Sequence, residues 1–171
     1  LFDGETGAPR AILDAGTLTE RRTAATAALA AQHLARSDAT HLLVLGTGRL
    51  ARALPEAYGA VRPLTRVTVW GRRSSAVDET VRDLRERFPA LTIDGAEDLE
   101  AAANACDMVT SALPSETPVL SSAWLRPGQH VDLIGSYRPT MAEIDGGALR
   151  RATVFVDTEA GAWAEAGELI Q

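Results

Sequence analysis

Residues 41–51, His41-Leu42-Leu43-Val44-Leu45-Gly46-Thr47-Gly48-Arg49-Leu50-Ala51, carry the pattern on which the fold turns. A continuous apolar run of strand length ends in two glycines, and a helical stretch, about Leu50 to Tyr58, follows. The spacing is G-x-G-x-x-A between a strand and a helix. The first glycine permits the tight turn, the second lets a pyrophosphate approach the backbone, and the small Ala51 lets the helix pack closely on the sheet. Free N–H groups at the helix start suit phosphate oxygens, which nominates Gly46, Thr47, Gly48, Arg49 and Leu50 as cofactor contacts. The alternative is a glycine turn in an α/β domain that holds no ligand.

Outward from this turn, strand and helix patterns alternate. Arg66–Trp70 reads as a second strand and Ser75–Phe88 as a helix. Leu91–Ile93 is a short third strand, Glu97–Ala105 a helix, and Asp107–Ser111, His130–Ile134 and Thr153–Val156 read as further strands. Upstream, Thr17 to about Arg36 is helical: Thr17 and Glu20 fit a capping box, and Ala24, Ala25, Ala27, Ala28, Ala31 and Ala35 give strong helix propensity and a slim packing face. Residues 1–16 hold a strand-like start and a turn-rich stretch. Continuously apolar strands alternating with helices predict an α/β fold, a Rossmann-type doubly wound parallel sheet covered on both faces.

The end of the second strand bears on cofactor choice. An NAD site usually offers an acid about 20 residues past the glycines for the ribose hydroxyls. Here the stretch is Trp70-Gly71-Arg72-Arg73-Ser74. Guanidinium and hydroxyl groups suit a 2′-phosphate through charge-assisted hydrogen bonds, so NADP(H) is the preferred expectation and NAD(H) the alternative. A solvated arginine turn is the bland reading of the same residues.

Composition narrows the classes. The net charge of −6 over 171 residues argues against a nucleic-acid surface. No apolar run approaches the ~18 residues of a membrane span, so no membrane partner is expected. The lone Cys106 fits a reducing compartment, and a cytoplasmic location follows as an expectation. All 17 basic residues are arginine, so no Schiff-base lysine comes from this chain. His33, His41 and His130 are widely spaced and predict no metal site. Cys106 reads as a small buried hydrophobe, Ser121-Ser122 as a helix cap before Trp124, and Asp83, Arg85, Glu86 and Arg87 as a solvated helix face.

Several segments, taken in order, resemble the ornithine cyclodeaminase/mu-crystallin family along essentially the whole chain. They include Asp3-Gly4-Glu5-Thr6-Gly7, Leu18-Thr19-Glu20-Arg21-Arg22-Thr23, Leu45-Gly46-Thr47-Gly48 and Val69-Trp70-Gly71-Arg72. Further along come Ala105-Cys106-Asp107-Met108-Val109, Trp124-Leu125-Arg126-Pro127-Gly128, Ile134-Gly135-Ser136-Tyr137-Arg138-Pro139, Glu143-Ile144-Asp145 and Glu165-Ala166-Gly167-Glu168-Leu169. The resemblance implies a Rossmann domain joined to a dimerisation domain built from both chain ends, in proteins much longer than this chain. It sets expected boundaries at 1–16 for the end of the first dimerisation segment, 17–158 for the nucleotide-binding domain with its leading helix, and 159–171 for the return. A homodimer is implied for the longer protein.

The same resemblance implies an NAD(P)H-dependent oxidoreductase, with reduction of a small imino acid (a cyclic ketimine) to an amino acid as the leading expectation. The alternatives are an ornithine cyclodeaminase that forms proline with loss of ammonia, and a non-catalytic crystallin-like binder of nucleotide or ligand. Arg22 aligns with the family arginine that holds the substrate carboxylate; Arg21 beside it reads as a surface residue. Where cyclodeaminases carry a catalytic Asp, this chain has Tyr137, and a phenol in general, with an ordinary value near ~10, is a poor substitute for a carboxylate base at neutral pH. Tyr137, Asp132 and water remain open as proton donors, while Asp145 also fits a helix N-cap before Gly146. Ligands of such sheets bind outside the carboxyl ends of the strands, which nominates Ser111, Ala112, Leu113, Leu133, Ile134 and Gly135 near the nicotinamide.

Overall fold

The computed structural model describes residues 1–170; residue 171, the last of the expected return segment, lies outside them. Five strands form one parallel sheet: β1 (His41–Leu45), β2 (Arg66–Trp70), β3 (Thr92–Gly95), β4 (Met108–Ser111) and β5 (His130–Leu133), in the order β3-β2-β1-β4-β5. The order reverses between β1 and β4. Leu42, Leu43, Val44 and Leu45 are all 0% exposed, because both faces of the central strand are covered; this is why the stretch reads as a continuous apolar run. Leu45 is level with Trp70 and with Ser111, and Ser111 with Leu133, so the carboxyl ends of four strands meet at one edge.

Three helices cover one face: α1 (Ala15–Leu34), α2 (Arg49–Gly59) and α3 (Ser74–Arg87). Their core joins Ala24, Ala27, Ala28 and Ala31 to Leu54, Tyr58, Val77 and Leu84, over Leu42, Val44, Val67 and Val69. On the other face, α4 (Leu99–Ala105) and the 3₁₀ turn Ser122–Trp124 pack on Leu43, Leu45 and Val109. Two short helices, α5 (Glu159–Glu165) and α6 (Gly167–Ile170), end the described chain. No helix among the described residues is long and apolar enough to cross a membrane.

The alanine stripe lets α1 lie closely on α2. Glu20 of α1 pairs with Arg49 at the start of α2. At the far ends of the same helices, Arg62 Nη2 donates to the carbonyls of Ala31 (2.7 Å), Gln32 (2.9 Å) and Ala35 (2.7 Å). A cation on the orphan carbonyls of a helix C-terminus is doubly favourable, through hydrogen bonding and the macrodipole. The two helices therefore run side by side in the same direction, and the N-terminus of α1 lies at the carboxyl edge of the sheet.

Three expectations change. The capping box does not form: the helix begins two residues earlier, Asp14 caps it by accepting from Gly16 N, and Glu20 is engaged with Arg49. No helix follows Asp145, whose carboxylate instead accepts from Ser121 Oγ, Ser122 N and Gly147 N and so organises a turn. Thr153–Val156 is no strand; Val154, Phe155 and Val156 are 46%, 63% and 47% exposed beside a sheet that ends at β5. An apolar alternation needs a neighbouring strand to pair with, and the described chain provides none there. Ser121 does cap the 3₁₀ turn, as its sequence suggests.

Candidate functional site

Gly46 leaves β1 with φ +125°, a conformation that L side chains rarely adopt, and its N–H donates to Trp70 O (2.8 Å). A Cβ there would lie 3.3 Å from Ala112 O, so the glycine turn touches the turn after β4 across the point of strand reversal. Gly48 is different. Its φ of −81° is ordinary, and a Cβ would meet nothing within 4 Å. It opens α2 with no side-chain cap on the first turn. A helix N-terminus with uncapped N–H groups facing open space is a cradle for an anion. The turn after β2 closes against it, with a Cβ at Gly71 falling 2.8 Å from Thr47 Cγ2.

Arg72, Arg73 and Ser74 stand exposed at the end of β2 and the start of α3. Neither guanidinium has a side-chain partner among the described residues, whereas Arg49 is committed to Glu20, leaving Arg49 its backbone N–H for a ligand.

Opposite the glycine turn, one carboxylate organises the loops after β4 and β5. Glu143 is 0% exposed. Its Oε1 accepts from Ser111 Oγ (2.5 Å) and Leu113 N (2.8 Å), and its Oε2 from Gly135 N (2.6 Å). Burial raises its carboxyl to about 7, with these three bonds pulling the other way and Glu168 adding to the rise. Behind it, Glu168 Oε1 accepts from Glu143 N and Ser136 Oγ, both at 2.7 Å. Ala112, Leu113, Leu133, Ile134 and Gly135 are brought together at this edge, as nominated. The organising acids were missed. Glu143 offered a signal, a lone acid in Met141-Ala142-Glu143-Ile144 where its neighbours are buried.

The nominated polar residues are spread out. Tyr137 is 56% exposed at the rim of the β5 loop, with Arg138 5.2 Å over its ring. Arg22 projects from the first half of α1 and has no side-chain partner among the described residues. Asp132 lies within the sheet, on the α1–α2 side, where Tyr58 and Thr110 hydroxyls donate to its Oδ2 at 3.4 Å each. Cys106 is a buried thiol pushed up to about 12, mainly by burial, in keeping with a packing role.

Asp132 carries a stability prediction. Burial raises its carboxyl from 3.8 to about 6 against the two hydroxyl bonds. Between those values the folded state holds a proton that the unfolded state has lost, so this group's contribution falls as pH rises from about 4 to 6. Asp132→Asn should therefore raise stability at pH 8 by on the order of 2 kcal/mol, and the gain should vanish near pH 3. Urea unfolding of both proteins at the two pH values checks this; equal stability at pH 8 would show that the carboxylate is better solvated than its position implies.

A parallel sheet with a glycine turn at its strand reversal defines a Rossmann-type α/β domain. The profile of the ornithine cyclodeaminase/mu-crystallin family matches residues 1–171, and the chain belongs to that family. It is 42% identical to Delta(1)-pyrroline-2-carboxylate reductase of Paracoccus denitrificans, over 99% of this chain and 54% of the relative. Among solved structures it superposes with TM-score 0.94 on Thermococcus litoralis Delta(1)-pyrroline-2-carboxylate reductase, a complex with NADH and L-proline, at 26% identity over 99% of this chain and 52% of that one. A probable ornithine cyclodeaminase from Bordetella pertussis superposes with TM-score 0.91 at 34% identity, over 99% and 53% of the two chains. The chain thus spans about half the length of the relatives it matches.

Proposed function

We propose that this chain is the cofactor-binding part of an NAD(P)H-dependent reductase of small cyclic imino acids, of the Δ1-pyrroline-2-carboxylate type. The observation that carries the reading is the open, uncapped N-terminus of α2 behind Gly46 and Gly48, in a chain 42% identical to such a reductase. In this reading, residues 46–50 hold the pyrophosphate and the loops around Leu113 and Gly135 border the nicotinamide. A bound reduced nicotinamide supplies a hydride to the imine carbon. The chain's own residues orient and protonate: Arg22 binds the substrate carboxylate, and the imine nitrogen takes a proton delivered at the edge that Tyr137 borders. Asp132, turned toward Tyr58 and Thr110, fits that task less well than Tyr137 does. Much of the rate gain comes from holding the two reactants in line. A homodimer of the longer protein in the cytoplasm completes the proposal; the exposed Phe2, Ile12, Phe155 and Trp163 suit burial against further protein.

NADP(H) is the preferred cofactor in this reading, because Arg72 and Arg73, at the end of β2, have no side-chain partner among the described residues and no acid stands in that stretch. Arg72→Ala should weaken NADPH binding by about tenfold or more, the scale of one lost charge-assisted hydrogen bond, and leave NADH within about twofold. Fluorescence titration with both cofactors is the check. Equal loss for both, or tighter NADH binding by the parent protein, would overturn the NADP(H) assignment. Steady oxidation of the reduced cofactor by Δ1-pyrroline-2-carboxylate supports the reductase. Ammonia release from ornithine without net cofactor turnover would replace it with a cyclodeaminase, and cofactor binding with neither reaction would replace it with a binding protein.

A further inference from the structure

Resting on the dinucleotide reading above, we propose that Glu143 is a positioning residue that sets the geometry of the nicotinamide end, by tying the loop after β4 to the loop after β5 through one buried carboxylate. Among the described residues, Glu143 is the carboxylate that accepts from both loops. Leu113 N and Ser111 Oγ converge on one oxygen and Gly135 N on the other. Two backbone N–H groups can only donate, one to each oxygen, and a carboxyl group supplies an acceptor for each while still bonding the Ser111 hydroxyl.

The clamp is itself braced. Glu168, on the far side, accepts from Glu143 N and from Ser136 Oγ, so the residue following Gly135 is held by the same pair of acids. The spacing leaves no slack: a Cβ at Gly135 would fall 2.2 Å from Leu113 O and 2.6 Å from Glu143 Oε1. A Cβ at Gly167 would fall 1.9 Å from Met141 O, so α6 is pressed against the strand-like segment that carries Glu143. Since the loop after β4 also touches Gly46, the carboxylate couples the β5 loop to the glycine turn through two short contacts. Glu143 is fully buried, so it acts through Leu113 and Gly135.

Glu143→Gln separates this role from simple packing. The amide keeps the volume and one carbonyl oxygen, which can serve Ser111 and Leu113, but it turns an N–H₂ toward Gly135 N–H, so two donors face each other. The β5 loop is then released while the β4 loop stays. ADP-ribose, which carries the adenosine and pyrophosphate but no nicotinamide, should bind the variant within about twofold of the parent, while NADH should weaken by about tenfold, the scale of one buried donor left unpaired. The emission of bound NADH should shift toward that of the free cofactor. Loss of both ligands in equal measure, or of neither, overturns the proposal. Failure of the parent protein to bind ADP-ribose sinks the dinucleotide reading itself, a distinct result. If Glu143→Gln does not fold, Glu168→Ala removes the brace and leaves the carboxylate; it should show the same NADH-selective loss at about threefold, and an unchanged ratio of NADH to ADP-ribose affinity overturns the proposal.

Discussion

Gly48→Asp should leave the protein folded and lower its affinity for NADPH and NADH by about a hundredfold or more. The position has an ordinary extended backbone, φ −81° and ψ −175°, and a Cβ there meets nothing within 4 Å. Asp is among the best residues at a helix N-cap, so α2 should gain from it. The same carboxylate would occupy the space in front of the helix and repel a pyrophosphate there. A hundredfold corresponds to about 2.7 kcal/mol, the scale of a lost anion site plus a new like-charge contact. Unfolding midpoints and cofactor titrations on the two proteins give opposite signs if the cradle is used: stability equal or higher, affinity lost. Full affinity in the folded variant would show that the opening before α2 is not where the cofactor binds.

The second large effect falls on stability. Gly135→Ala places a methyl 2.2 Å from Leu113 O and 2.6 Å from both Leu113 C and Glu143 Oε1. Two of these atoms are backbone, and the third belongs to a carboxylate held by three hydrogen bonds, two of them on that oxygen, so nothing nearby yields cheaply. The loss should reach about 3 kcal/mol or more, the upper end for overpacking. Gly146→Ala, where a Cβ meets nothing within 4 Å, is the matched control and should change stability by less than about 1 kcal/mol. Urea unfolding midpoints decide it; similar behaviour of the two variants would mean that the β5 loop can move aside, and would weaken the proposed clamp as well.

The parts of the fold that local chemistry dictates were legible in the sequence. The glycine turn, the apolar β1 and the alternation of strands and helices announced a doubly wound sheet, because burial on both faces leaves a continuous apolar run. Element ends shifted by a residue or two where a cap competed, as when Asp14 rather than Thr17 opened α1. What failed was whatever depended on a distant partner. Thr153–Val156 has strand-like composition but joins no strand of the sheet, and Asp145 organises a turn with Ser121 and Ser122 rather than capping a helix. The glycine turn was readable from its spacing, and the meeting of the two loops at the carboxyl edge from the strand pattern. Glu143 was missed: its place in an apolar stretch hinted at burial, but its role comes from Ser111, Leu113 and Gly135 converging on it from two other segments, which the local pattern does not record.

The strand order has a consequence for how the molecule assembles. β1, β2 and β3, with α2 and α3, form a contiguous run, residues 41–95, whose neighbours in the sheet are neighbours along the chain. β4 must instead return past two strands to pair with β1, and β5 then adds outside it. Contacts between distant residues bear the larger loop-closure cost and form late, so the N-terminal half should order first, with β1 exposing an unpaired edge until β4 arrives. The edge that waits is the most apolar strand in the molecule, which makes this interval the one most exposed to aggregation. A small molecule that touches both halves across that seam would bind only the finished sheet, and in the cell its concentration would govern how much of the newly made protein survives to be folded.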